Sequence, residues 1–222
     1  MVFIDADVTL SDDALGRIAA FMDDRPWIEL ASGFPRQITR TFSEKLVIPL
    51  ITYVLLGYLP LRWSRVYTSP GFGAGCGQLF IARKTSYQKM GGHSAIRTTL
   101  HDGVKLPREY CKHGMMTDLF DGSDIAACRM YRNAGEVWAG LTKNSVEGLG
   151  SPGAIWFWTF ALVGAAVLPW IVLAMGLAQG ATYEVHAAIA AIVMGLVPRF
   201  VTAVTARESW LGAVLHPFGI LM

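Results

Sequence analysis

Residues 1–4 are apolar and stop at Asp5, Ala6 and Asp7, the pattern of a core strand that delivers carboxylates at its C-terminal edge. Ser11, Asp12 and Asp13 then precede apolar positions at Leu15, Ile18, Ala19 and Met22, which predicts a helix with Ser11 as its N-cap. Residues 27–34 read as a further strand, ended by Pro35. Strand, loop and helix in this succession mark an α/β fold. Residues 46–61 form an apolar run of about 16 residues, interrupted by Pro49, Gly57 and Pro60 and short of the roughly 20 needed to cross a bilayer. Arg36, Arg40 and Lys45 flank it on one side and Arg62 and Arg65 on the other, so it is expected to be a membrane-interface helix or a buried one.

Residues 71–77 are rich in glycine, which composition alone assigns to a flexible connection, and residues 78–82 are apolar enough for a strand. Val104, Leu106, Tyr110 and Cys111 predict a helix running from Asp102 to near Gly114, with Pro107 inside it. Residues 117–120 and 125–131 read as strands separated by a turn at Asp121, Gly122 and Ser123. Residues 136–146 read as an amphipathic helix with Val137, Trp138 and Leu141 on one face, ended by Gly150, Ser151, Pro152 and Gly153.

The pattern then changes character. Residues 155–178 are uncharged and apolar over about 24 positions, long enough for a transmembrane helix with Trp156, Phe157 and Trp158 at its interface. Residues 185–206 predict a second span, with Arg199 snorkelling to the interface, and residues 210–222 begin a third apolar stretch. The expected organisation is a partial catalytic domain over 1–150 and a transmembrane region over 151–222. The loop between the two spans holds Glu184 and no basic residue, whereas Arg129, Arg132 and Lys143 precede the first span and Arg207 follows the second. The positive-inside rule therefore puts the first 150 residues in the cytoplasm, at a bacterial cell membrane.

Composition supports a membrane protein: 53% of the 222 residues are hydrophobic and 16% charged, with mean hydropathy +0.39. A net charge of +2 with no basic stripe argues against nucleic acid as a partner. Cys76, Cys111 and Cys128 lack paired spacing and read as reduced thiols. His93, His101 and His113 fit no i, i+4 metal pair and read as ordinary polar residues. No signal-peptide pattern opens the chain.

Asp5 and Asp7, one residue apart at a strand end, suit a shared divalent cation that neutralises a diphosphate leaving group. Residues 5–9 also fit DxDx[TV], the haloacid dehalogenase pattern, in which the first Asp is a nucleophile toward phosphate and the second an acid/base. That alternative needs a second acidic pair, for which Asp118, Asp121 and Asp124 are the candidates.

The stretch from Gly75 to Asn144 resembles family 2 glycosyltransferases of the GT-A fold. The matching pieces are FIDADV at residues 3–8, residues 77–81, Gly91-Gly92, Leu100-His101-Asp102, and Arg129-Met130-Tyr131-Arg132 with Trp138. The resemblance covers nearly the whole chain, with enzymes that glycosylate lipids, carotenoids or ceramide-like acceptors as the nearest relatives. It implies an α/β, GT-A-like nucleotide-diphospho-sugar transferase core followed by C-terminal transmembrane helices. It further implies inverting transfer of a hexose from a nucleotide sugar, UDP-hexose in the first place, to a lipid hydroxyl, assisted by Mg²⁺ or Mn²⁺.

In that resemblance Asp5 and Asp7 hold the metal and Asp102 is the general base. Gly91 and Gly92 let the chain pass close to the sugar, while Arg129, Arg132 and Trp138 face the diphosphate or acceptor. The chain departs from the family at His101, which stands where Glu is usual, and at Asn133, where the (Q/R)xxRW motif has Trp. Relatives carry a nucleotide-binding βαβ half before the DxD strand, so the chain is expected to be truncated at its N-terminus and inactive or unstable alone. The remaining alternatives are the phosphatase and a non-catalytic membrane interaction protein.

Overall fold

The computed structural model describes residues 1–99, 101–145, 150 and 152–222. Leu100 of the Leu100-His101-Asp102 motif, Val146 at the end of the predicted 136–146 helix, and Ser151 in the loop after it lie outside the described residues. The chain begins β1 (Val2–Ile4), β2 (Val8–Leu10), α1 (Ala14–Asp23), β3 (Ile28–Phe34), β4 (Arg36–Gln37), α2 (Phe42–Val47), α3 (Pro49–Tyr58) and α4 (Leu61–Ser64). It continues β5 (Leu79–Ala82), α5 (Lys84–Lys89), α6 (Asp102–Lys112), β6 (Met116–Asp121), β7 (Ala126–Cys128) and α7 (Ala134–Ser145). The C-terminal helices are α8 (Ile155–Ala166), α9 (Leu168–Gln179), α10 (Thr182–Thr205), α11 (Trp210–Val214) and α12 (His216–Leu221). Two compact units result: Met1–Ile38 with Val54–Met130, and Thr39–Tyr53 with Tyr131–Met222.

The first unit is mixed α/β. Its larger sheet has the order β1-β5-β3-β6, with β5 antiparallel to β1 and β3 and β3 parallel to β6. Strand side chains alternate between two faces. Ala31, Leu79 and Ile81 pack against Ala14, Ile18 and Met22 of α1, whereas Leu30, Phe80 and Ala82 pack against Leu106 and Tyr110 of α6. In a small second sheet, β2-β7-β4, β7 falls within the strand predicted over 125–131, whereas patterning left β2 and β4 as loops. Two or three residues per strand are too few for periodicity to register.

Two local expectations are corrected. The first strand is an edge strand: Val2 and Ile4 are 37% and 47% exposed, because β1 has β5 as its one neighbour. Ser11 does not cap α1. Asp13 holds the N-cap position, and the Ser11 hydroxyl donates to Asp13 Oδ1 at 2.6 Å.

In the second unit, Thr41 and Glu44 start α2 as a capping box, with Glu44 N–H donating to Thr41 Oγ1 and Arg40 N–H donating to Glu44 Oε2. Residues 46–61 therefore do not form one helix; α2 ends at Val47 and α3 begins at Pro49. α10 spans 24 residues with a mean hydropathy of 2.0, long and apolar enough to cross a membrane. The expected single span over 155–178 is instead a pair, α8 and α9, bent by 43°. Pro169 sits in the first turn of α9 and has no N–H to give to the preceding turn, which breaks the ladder there. Residues 210–222 likewise divide into α11 and α12, with Pro217 in the first turn of α12.

Arg199 does not snorkel. Its side chain is fully buried, donating from Nη1 to the Pro49 carbonyl and Thr202 Oγ1, both at 3.2 Å, and from Nη2 to the Gly212 carbonyl at 3.4 Å. The guanidinium lies 5.0 Å from the centre of the Tyr53 ring and 3.9 Å from a Glu208 oxygen. Gly212 lies in the last turn of the five-residue α11, where a carbonyl has no partner within the helix, and Arg199 takes it.

Candidate functional site

The carboxylates of Asp5 and Asp7 sit on the tight turn that joins β1 to β2, closed by the Val8 N–H donating to the Asp5 carbonyl at 3.1 Å. Asp5 N–H donates to the Gln78 carbonyl at 3.2 Å, which fixes this turn beside the start of β5. Asp102 is the first residue of α6, where its Oδ1 accepts the Gly103 N–H at 2.7 Å. It is not the N-cap, a position that His101 fills without a side-chain capping bond.

The glycine-rich loop brings these pieces together. A Cβ on Gly77 would lie 2.9 Å from Asp102 Cγ, and one on Gly103 would lie 2.8 Å from the Gly75 carbonyl oxygen. A Cβ on Gly73 would lie 2.8 Å from Arg108 Cα. The loop therefore runs flat along the first turns of α6, and glycine is required for close approach rather than for flexibility. Since Gly77 precedes Gln78, the Asp102 carboxylate comes to rest next to the Asp5 turn.

Charge confirms the proximity. Burial, then the charges of Asp102 and Asp7, hold the Asp5 carboxyl above the usual range. Burial pushes the Cys76 thiol up to about 12, with Asp5, Asp102 and Asp7 adding to the shift. Cys128 is also raised by burial and by its contact with Asp7. Both thiols therefore stay neutral at physiological pH.

Beneath the carboxylates lies a polar network that patterning did not single out. Cys76 N–H donates to Ser32 Oγ at 2.8 Å, and the Ser32 hydroxyl donates back to the Cys76 carbonyl at 2.9 Å. Gln78 Nε2 donates to Cys128 Sγ at 2.9 Å, and Gln37 Nε2 donates to Gln78 Oε1 at 2.7 Å. These bonds join the two sheets under the Asp5 turn. Gln37 carried no sequence signal, since β4 is two residues long; Gln78 was visible as the first residue of an apolar strand and within the 77–81 piece of the resemblance.

The other expected site residues are placed as follows. Gly91 and Gly92 both have positive φ, 84° and 55°, in a turn after α5. The Tyr87 ring fills the space where a Gly92 side chain would be and stacks on Phe3 of β1 at 4.9 Å. Its hydroxyl also bonds His93 Nδ1 at 2.8 Å. Arg129 directly follows Cys128 in the first unit.

Arg132 and Trp138 belong to the second unit, and both are exposed, Trp138 at 60%. The predicted apolar face of α7 thus holds Val137 and Leu141 but not Trp138. Asn133 caps α7: its Oδ1 accepts the Glu136 N–H at 2.9 Å and its Nδ2 donates to Glu136 Oε1 at 2.7 Å.

Among the described residues no group of three or more His, Cys, Asp or Glu is arranged to hold a metal ion. Asp5 and Asp7 offer hard oxygen donors of the kind that suit Mg²⁺ or Mn²⁺, and Asp5 is raised first by burial and then by the neighbouring charges of Asp102 and Asp7. No protein-family model matches the chain, and no curated protein matches it either.

Proposed function

We propose that this chain carries the acceptor-side catalytic residues of an inverting, family 2-like glycosyltransferase of GT-A type, which moves a hexose from a nucleotide sugar to a lipid hydroxyl at the cytoplasmic face of a membrane. The observation that carries the reading is the convergence of Asp5, Asp7 and Asp102, from two separate stretches of chain, across the side-chain-free surface of Gly77.

In this mechanism Asp102 accepts the proton of the acceptor hydroxyl as its oxygen bonds to the anomeric carbon. The bond from that carbon to the diphosphate breaks on the opposite face, so the configuration inverts and the nucleoside diphosphate leaves with the electron pair. Asp5 and Asp7 would hold the divalent cation, which when bound offsets the charge on the diphosphate. Two carboxylates are enough for Mg²⁺ when substrate phosphate and water complete the shell. Asp5 and Asp7 are exposed on their turn, where a cation and a substrate phosphate can reach them. Gln78 and Gln37 orient the turn from below.

The membrane assignment rests on α10 and on the apolar side chains of α8 to α10. Trp156, Phe160 and Met194 are 78%, 83% and 74% exposed, a surface costly in water. The phosphatase alternative fits less well. Its nucleophile would lie on an edge strand paired antiparallel, outside a doubly wound parallel sheet. All three candidates for its second acidic pair are already engaged: Asp118 binds Arg65 at 2.7 Å, Asp124 pairs with Arg17, and Asp121 accepts the Ser123 N–H.

The test is sugar transfer by membranes holding the protein, with radiolabelled UDP-glucose and native lipid extract, comparing wild type with Asp102→Asn. Metal-dependent labelled lipid that disappears in the variant supports the transferase. Label indifferent to Asp102, or none with a panel of nucleotide sugars, moves the reading to the phosphatase or to an interaction protein.

A further inference from the structure

A second concave site lies along α6, beyond the candidate base. It is a cavity of about 560 Å³ lined by Lys105, Arg108, Glu109 and Lys112 of α6, with Pro70 and Gly71 on one wall and Ala95, Ile96 and Thr99 on the other. Its size is that of a small-ligand site. Three cations face one anion, and that anion is already used, since Lys112 Nζ lies 2.9 Å from Glu109 Oε2.

Arg108 spends only its Nε, on the Gly73 carbonyl at 3.4 Å. Lys105, half-buried, makes no hydrogen bond or ion pair among the described residues. Two like charges three residues apart on a helix repel each other unless an anion lies between them. A free, solvated charged face would splay them into water; here the walls opposite keep them in a cleft.

The cleft also has a direction. Asp102, Lys105, Glu109 and Lys112 fall at i, i+3, i+7 and i+10, one stripe of the helix. At a rise of 1.5 Å per residue, Lys105 stands roughly 5 Å and Lys112 roughly 15 Å along the axis from Asp102. A ligand whose anionic group sits among Lys105 and Arg108 can therefore present a hydroxyl a few atoms away to the Asp102 carboxylate. Pro70, Ala95 and Ile96 supply apolar wall beside that anion.

We propose that this cleft binds a phosphate group of the acceptor, so that the acceptor is a phosphate-bearing lipid whose headgroup hydroxyl is the one glycosylated. This rests on the transferase reading for the identity of the acceptor, but the phosphate site itself does not.

The experiment has two arms on full-length protein in detergent or membranes, each for wild type, Lys105→Ala/Arg108→Ala and the control Lys89→Ala, an exposed cation on α5. The first arm measures binding of glycerol 3-phosphate and inorganic phosphate by titration, and displacement of either by phosphatidylglycerol vesicles. Wild type and control are expected to bind, and the double variant to lose affinity about tenfold or more, as two charge-assisted contacts disappear. The second arm measures transfer to phosphatidylglycerol and to neutral diacylglycerol. The double variant is expected to raise KM for the anionic acceptor about tenfold, with KM for the nucleotide sugar unchanged.

Unchanged phosphate binding in the double variant overturns the site. Phosphate binding that vesicles cannot displace overturns the lipid assignment, since the cleft then takes a soluble phosphate. If no acceptor is labelled by wild type, the transferase reading fails, while loss of phosphate binding in the double variant still establishes the cleft.

Discussion

Gly77→Ala tests the site without removing a single catalytic group. The added Cβ would stand 2.9 Å from Asp102 Cγ and 3.0 Å from Oδ2, against an ordinary contact of roughly 3.5–4.0 Å. Asp102 Oδ1 would be closer still, so the carboxylate must retreat by roughly 1 Å or more. The start of α6 cannot yield as a body, because Gly103 is itself set against the Gly75 carbonyl and the Gly77 N–H. The retreat falls on the Asp102 side chain, whose Oδ1 would leave the Gly103 N–H.

A displacement of that size at a reacting group costs on the order of 10²-fold in rate. The overpacking costs about 1–3 kcal/mol of stability. The assay is the initial rate of labelled lipid formation at saturating donor, with the KM for donor measured alongside, since Asp5 and Asp7 keep their places. Gly16→Ala, on the exposed side of α1, is the control, as its added Cβ would meet nothing within 4 Å. Wild-type kcat in Gly77→Ala, with Asp102→Asn inactive, would show that the base does not act from beside Gly77.

Further outcomes are expected. Asp5 has a folded pKa above its unfolded value, so its contribution to stability is present below the unfolded pKa and lost as pH rises through the folded one. Thermal melts should accordingly show Mn²⁺ stabilising the protein more at pH 7 than at pH 4, and Asp5→Asn should abolish that gain while raising the metal-free Tm at pH 7. Arg199→Met strands Glu208 in a buried site and should cost about 3–5 kcal/mol in denaturant unfolding, much of it recovered by adding Glu208→Leu. Asn133→Ala removes the cap of α7 and should cost about 1 kcal/mol, with transfer activity retained, whereas a role for Asn133 in substrate binding would appear as a raised KM.

Much of this was legible in the sequence, and the lapses share a physical cause. Apolar period identified β3, β5, β6 and α6, because each buries a regular face, and the break after Ile4 located the Asp5 turn. Period says nothing about position in a sheet, so β1 read as central although it is an edge. It says nothing about proline geometry within a hydrophobic run, so residues 155–178 read as one helix where Pro169 divides α8 from α9. Arg199 was misjudged because its partners, the Pro49 and Gly212 carbonyls, are backbone groups far away in sequence. The glycines at 73, 75 and 77 were visible, but their need for close approach to α6 depends on a helix that begins 25 residues later.

Several acidic residues of the first unit have a partner, whereas Asp12, Asp23 and Asp24 are exposed on its surface. Asp118, Asp124 and Glu109 each have a cation, and Asp121 has a backbone N–H; each is charge that the fold compensates and uses. Asp5, Asp7 and Asp102 form no ion pair among the described residues, and the Asp5 carboxyl is raised by burial and then by the charges of Asp102 and Asp7. The ionised Asp5 is therefore less favourable in the folded chain than in the unfolded one, and the glycines beside it add conformational entropy to the unfolded one. A charge of this kind offers nothing to folding. It becomes favourable once a ligand brings positive charge or a proton to the site, which is the condition a metal-bound diphosphate and an attacking hydroxyl would both meet.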